Sequence, residues 1–287
     1  MAEKLTKKQK FKRFLKRNMT PTWAKRFSYQ VVAFLISVAM IVGVAAYAFT
    51  KSYDERKLTF VDGFTVCVHT GAYGTVENGI EFIEECIKKD VKSLQINIRR
   101  RPDGTVIMSN DIIATNRDGI ELATVLSMLS KTNITVNMVI NDMKALNSLH
   151  DLLVDYSMTD RVFLTGIEVF QADAVKENCP DVDFYVNYLP SRYKIFSEGY
   201  QEKIVNVCEK TGAVGINCNY AHASGTLASV LHKNGYKLSV WTVDKTITIK
   251  RILASKPDVV TTKEPDRFQE IIDNWKRGKS YKISNKK

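Results

Sequence analysis

From Phe60 onward the chain alternates short β-rich runs with amphipathic helical stretches, and it does so eight times. Strands are predicted at Phe64 to Val68, Ser93 to Ile98, Thr135 to Ile140, Val162 to Thr165, Phe184 to Asn187, Val214 to Asn217, Leu238 to Thr242 and Val259 to Thr261, short runs rich in β-branched and aromatic residues. Helices are predicted near 77–89, 121–129, 144–156, 169–178, 200–211, 224–234, 246–254 and 266–275, the first with Ile80, Ile83 and Ile87 on one stripe. Thr105 to Met108 reads as a hairpin partner of the second strand across the turn Pro102-Asp103-Gly104. Eight β-then-α units in about 215 residues predict an α/β fold, a closed (β/α)8 TIM barrel at the compact end of its size range. A doubly wound open sheet is the alternative.

A separate element precedes the barrel. Val31 to Phe49 is nineteen residues without a charge, enough to cross a hydrocarbon core at about 1.5 Å per residue. Residues 1–27 hold ten Lys or Arg against the single Glu3, a net of +9, which leaves only +2 of the chain's +11 for everything else. The positive-inside rule then predicts a single-pass protein of the cell membrane, N-terminus cytoplasmic and barrel extracytoplasmic. A cleaved signal peptide is the rival, since Ala46-Tyr47-Ala48 has the small-x-small form of a cleavage site. The expected organisation is a basic cytoplasmic arm (1–30), a transmembrane helix (31–49), a linker (50–59), the barrel (60–275) and a basic tail (276–287). With a membrane span adjoining it, the arm points to membrane lipids as partner and not to nucleic acid. Lys8 to Arg17 is expected to form a short amphipathic helix with Phe11, Phe14 and Leu15 in the interface, or to be a merely solvated topology signal.

Cys67, Cys86, Cys179, Cys208 and Cys218 are odd in number and lack CxxC spacing. They are expected to be buried free thiols, neither a zinc site nor a disulfide framework. In a barrel, function collects at the C-terminal ends of the strands, which selects His69, Asn97, Asn141 or Asp142, Asn217 and Trp241 to converge on one mouth.

Two stretches then carry a resemblance. "VHTGAYGTVENGIEFIEECIKKDVKSLQINIRRRPDGTVIMSND" resembles the opening of the glycerophosphodiester phosphodiesterase family, with its H-R-G, E-N-T, E-x-D strand, T-x-D-G turn and H-D pair. "NGYKLSVWTVDK" and "KPDVVTTKEPDRF" are similar to the family's later G-x-x-V-x-x-W-T-V-N strand and its C-terminal G-V-D-x-I-x-T-D-x-P. The resemblance implies a barrel that hydrolyses glycerophosphodiesters, with a divalent metal on the E-x-D acids and a later Glu, and two histidines trading protons. Here His69 matches the first histidine, and Glu77 and Asn78 match E-N. Thr70 stands where the arginine would be, Gln95 and Asn97 where the E-x-D acids would be, and Ser109 and Asn110 where the H-D pair would be. A one-residue slip puts Asp111 at that pair. The later Glu aligns with Val139 or, in a shifted register, Asp142, with Lys144 then in place of a following phosphate-binding lysine.

A hard divalent cation needs anionic oxygens, and amides offer only dipoles. The expectation is a phosphoric diester hydrolase fold of lipid metabolism that is a pseudoenzyme. Its cofactor would be none, with Mg or Ca only if a site were rebuilt from Glu77, Asp111 and Asp142. Such a mouth would hold a glycerophosphodiester or polyol-phosphate headgroup through Glu77, Gln95, Asn97, Ser109, Asn110 and Trp241, with His69 vestigial or a general acid/base. Trp241 would stack on the glycerol or simply fill the barrel. Two alternatives stand: an active phosphodiesterase using His69 at a rearranged or metal-free site, and a basic-arm membrane scaffold with an inert ectodomain.

Overall fold

The structure, a computed structural model, describes residues 7, 8, 10, 13, 20–55 and 64–284. The chain divides into two compact units, Met1–Glu55 and Arg56–Lys287. In the first, helix α1 (Pro21–Glu55) runs for 35 residues and is long and apolar enough to cross a membrane. It begins well before the uncharged run because Thr20 caps it, its Oγ1 accepting the Trp23 amide at 3.2 Å, and Pro21 supplies a preset φ in the first turn. The amphipathic helix expected at Lys8 to Arg17 falls largely outside the described residues.

The second unit is the closed barrel. Its eight parallel strands are β1 (Thr65–Val68), β2 (Ser93–Arg100), β5 (Thr135–Ile140), β6 (Val162–Glu168), β7 (Asp183–Asn187), β8 (Gly215–Asn219), β9 (Lys237–Trp241) and β10 (Val259–Thr262). β1 pairs with β10 (Thr65 opposite Val259) and also with β2 (Cys67 opposite Ser93), so the sheet closes on itself and the open-sheet alternative is excluded. β3 (Val106–Met108) returns antiparallel to β2, as the Pro-Asp-Gly turn predicts, and β4 (Ile120–Glu121) pairs with β3. β4 has two residues, too few to register as a pattern. Buried Arg101 holds it in place by donating to the carbonyls of Asp118 and Gly119 and to the Glu121 carboxylate.

Helices α2 (Ile80–Lys88), α3 (Leu122–Leu129), α4 (Leu146–Asp155), α5 (Ala172–Asn178), α6 (Glu198–Thr211), α7 (Gly225–Lys233), α8 (Thr246–Ser255) and α9 (Pro265–Ser284) follow the strands. Strand parity then sorts the side chains. Leu94, Ile96 and Ile98 of β2 and Val136 and Met138 of β5 point outward and pack with Phe82, Ile83, Leu126 and Leu149 of the helices. Each fully buried side chain of this kind contributes about 1.5–3 kcal/mol. Inside the barrel, Cys67, Phe163, Tyr185 and Val259 form a small apolar floor, with Phe163 and Tyr185 edge to face at 5.5 Å. Above that floor the inward positions are polar, among them Gln95, Asn137, Thr165, Asn217 and Thr261. A bulge in β6 between Leu164 and Ile167 is permitted by Gly166, whose φ of +78° disfavours a side chain and whose approach to β5 would crowd a Cβ at 3.0–3.1 Å.

All five cysteines are buried free thiols, as expected. Burial pushes the Cys67 thiol up to about 11 and those of Cys86, Cys179, Cys208 and Cys218 to about 12.

Candidate functional site

The parity that fills the lower barrel leaves a cavity of about 250 Å³ at the C-terminal ends of the strands, lined by His69, Gln95, Asn137, Val139, Thr165, Gly166, Asn187, Asn217, Trp241, Thr242 and Thr261. His69 directly follows β1, its amide held by the Thr262 carbonyl at 2.8 Å. Its Nδ1 lies 2.7 Å from the Thr70 carbonyl. A carbonyl can only accept, so Nδ1 carries the proton and Nε2 is left as the acceptor. Burial lowers the His69 pKa below its ordinary value, and Lys263 lowers it further. The Thr70 carbonyl and the carboxylates of Glu77 and Asp244 pull the other way. The ring is therefore neutral at neutral pH.

Beside it, Gln95 is 7 % exposed. Its carboxamide makes no hydrogen bond to any described residue and borders the cavity. Hydrogen-bonded side chains line the neighbouring and facing strands, beginning with Asn137, which is in register with Gln95. Asn217 Nδ2 donates to Asn187 Oδ1 at 3.0 Å, Asn187 Nδ2 donates to Glu168 Oε1 at 3.0 Å, and Thr165 Oγ1 donates to Asn137 Oδ1 at 2.7 Å. Trp241, at the end of β9, is partly exposed where the cavity opens. The lining thus offers amides, hydroxyls, one neutral imidazole and one indole, a set that recognises hydroxyl and phosphoryl oxygens by hydrogen bonding without supplying net charge.

The remaining predicted residues lie around this cavity and not in its lining. Asn97 is one level above Gln95 on the same face. Its amide donates to Asn78 Oδ1 at 2.9 Å, and its carbonyl accepts from the Ser109 amide at 3.0 Å. Ser109 Oγ accepts the Asp111 amide, and Asn110 takes Arg99 on its carbonyl and Asn141 on its side chain. Thr70 is fully buried, and its hydroxyl accepts the Asn78 amide at 2.6 Å. Its place is structural, fastening the first loop to β2 through Asn78. Glu77 sits at the rim with Oε1 2.5 Å from Lys263 Nζ, and that bond lowers its carboxyl pKa. Asp142 caps a short turn through the Lys144 amide at 3.0 Å.

Asn137, Thr165, Gly166, Asn187, Thr242 and Thr261 were not singled out from the sequence, and Val139 entered only as one of two positions aligned with the family's later Glu. The available signal was parity: Asn137 and Val139 alternate along β5 as Gln95 and Asn97 do along β2, with Gln95 in register with Asn137. Among the described residues no three His, Cys, Asp or Glu side chains come together to hold a metal ion, so Glu77, Asp111 and Asp142 form no such group. The donor chemistry of the lining, amides and hydroxyls without a carboxylate, does not fit a divalent cation.

Comparison with known proteins places this geometry. The model of the glycerophosphoryl diester phosphodiesterase family matches residues 61–267. A phosphodiesterase from Oleispira antarctica, solved with the product sn-glycerol-3-phosphate, aligns with a TM-score of 0.61 at 14% identity over 75% of this chain and 98% of its own. A glycerophosphodiester phosphodiesterase from Parabacteroides distasonis gives 0.60 at 15% identity over 74% and 97%, and one from Thermotoga maritima 0.55 at 18% over 72% and 98%. At these identities the structural likeness shows the fold. No curated protein matches the sequence.

Proposed function

The chain belongs to the glycerophosphoryl diester phosphodiesterase family, and from that premise we propose that it is a membrane-anchored domain whose barrel mouth binds a glycerophosphodiester or polyol-phosphate headgroup without the metal-dependent hydrolysis of its relatives. The observation that carries this is Gln95. It occupies the position of an acidic ligand in the family resemblance, is buried, and presents an unpaired carboxamide to the cavity. The carboxamide reaches the cavity, where a ligand's hydroxyl or phosphoryl oxygen can take the place of water. The amides of Asn137, Asn187 and Asn217 and the hydroxyls of Thr165 and Thr261 add donors that suit a polyol. Anchoring rests on α1 and on the basic residues preceding it, with the barrel outside.

The test is calorimetry on the full chain in detergent. Titration with Mg²⁺, Ca²⁺ or Mn²⁺ is expected to give no stoichiometric heat, and glycerophosphocholine or glycerophosphoglycerol to bind with an affinity reduced in Gln95→Ala. A micromolar cation site overturns the reading.

A second reading is favoured by His69. Its neutral ring, with Nδ1 committed to Thr70, leaves Nε2 able to accept a proton, as a metal-free attack by a substrate's own 2-hydroxyl requires. Turnover of glycerophosphodiesters or lysophospholipids that vanishes in His69→Ala supports that reading. Turnover unchanged by the substitution excludes it.

A further inference from the structure

The barrel exposes its apolar side chains at one end. Among the described residues of this unit, every large hydrophobic side chain that is mostly exposed lies on the loops or helix starts that follow the C-terminal ends of the strands, except Val154 at the far end of α4. Ile112 is 88 % exposed, Phe170 83 %, Tyr193 93 % and Phe196 73 %. They come from three different loops around the mouth, and Trp241 carries the apolar rim into the cavity itself. Soluble surfaces scatter such residues singly, and gathering them on one functional face marks an interaction site.

The chemistry of the rim selects the partner. Leu189 to Phe196, after β7, contains exposed Leu189, Tyr193 and Phe196 together with exposed Arg192 and Lys194 and no acidic residue. Aromatic bodies with polar tips, beside cations on long apolar stems, suit the boundary between acyl chains and anionic headgroups. A protein partner would be met by a groove or one continuous face, whereas this is a ring of separate loop tips around an opening. We propose that the mouth of the barrel docks on a bilayer surface through the loop tips at Ile112, Phe170, Tyr193 and Phe196, so that the headgroup entering the cavity is still attached to a lipid. This rests on the headgroup-binding reading above and names the physical source of the ligand.

The test uses the full chain in proteoliposomes of phosphatidylcholine and phosphatidylglycerol containing nitroxide-labelled lipid. The native cysteines are all buried, so a single exposed cysteine takes up bimane selectively. Phe170→Cys, Tyr193→Cys and Phe196→Cys are expected to lose most of their bimane emission to the lipid nitroxide, and Val154→Cys to keep it. Equal quenching at all four positions, or none at the rim, overturns docking. A rim that is shielded from an aqueous quencher yet untouched by the lipid nitroxide also overturns it, since a second copy or another protein then covers the mouth. Calorimetry with soluble glycerophosphocholine on the same variants separates the two ideas. Binding retained with an unquenched rim rejects docking alone, and a quenched rim with no binding rejects headgroup capture alone.

Discussion

Lys263 Nζ lies 2.5 Å from Glu77 Oε1, joining the loop after the first barrel strand to the residue that follows the last. The pair spans the seam at which β10 meets β1, above His69, and it holds a cation close enough to act on the imidazole. Removing it is predicted to move two titrations in the same direction. In Lys263→Ala the Glu77 carboxyl loses the partner that lowers its pKa, so that pKa rises. The His69 pKa rises as well, because a repelling cation is gone and an attracting carboxylate is freed. NMR titration of the imidazole and carboxyl carbons in the two proteins measures both. A His69 pKa that stays put or falls would show that the pair does not govern the site.

Folding linkage gives His69 a second signature. Its folded pKa lies below the ordinary value near 6.5, so below that pH the unfolded chain takes up the proton first. Stability from this group is complete above pH 6.5 and is lost as pH falls toward the folded pKa, by at most about 1.4 kcal/mol per pH unit. In His69→Gln this contribution to the slope should disappear below pH 6.5, measured by denaturant melts of the full chain at each pH. An unchanged slope would mean that the ring titrates as freely in the fold as out of it.

Much of this arrangement was legible in the sequence, for physical reasons that also explain what was not. The barrel strands are short β-branched runs followed by amphipathic helices, and a signal repeated eight times tolerates boundary errors. β5 falls at Thr135–Ile140, where its residues predict it, whereas β6 continues to Glu168, past its predicted end at Thr165. That extension depends on a bulge at Gly166, which strand periodicity does not encode. His69, Gln95 and Trp241 were found through strand ends and family resemblance. Asn137 and Asn187 were not, because a single amide in an apolar strand gains meaning only when closure brings the four amide-bearing strands around one axis. Helix α2 was expected to include Glu77 and instead starts at Ile80. Asn78 takes a φ of 52° there, stabilised by long-range bonds to Thr70 and Asn97 that no local pattern reveals.

Gly71 offers a test of how tightly the rim is built. Its φ is +80°, and an added Cβ would stand 2.5 Å from Glu77 Cγ. Gly71→Ala therefore combines left-handed strain of about 1–2 kcal/mol with displacement of Glu77 from Lys263. The variant should melt lower than the parent, with its Glu77 pKa raised as in Lys263→Ala but its His69 pKa lowered, because Lys263 stays while the attracting carboxylate moves away. A lower melting temperature with unmoved titrations would place the strain in the backbone alone.

The strongest test of the proposed metal-free mouth is to place charge at Gln95 and Asn97. Gln95 and Asn97 lie two apart on the inner face of β2, each 7 % exposed. In Gln95→Glu with Asn97→Asp, two carboxyls occupy a buried, mutually repelling site, which raises their pKa values and destabilises the fold without a counter-ion. A hard cation removes that penalty. The double variant should melt below the parent in chelator and recover in millimolar Ca²⁺ or Mg²⁺, by about 2.7 kcal/mol if the ion is at 100 times its Kd. The parent should show no such dependence. Calorimetry then distinguishes a true site from nonspecific screening, since Na⁺ at equal ionic strength screens but does not coordinate. If the parent itself binds the ion with comparable heat, the amides are already serving as ligands, and the proposed loss of metal chemistry is wrong.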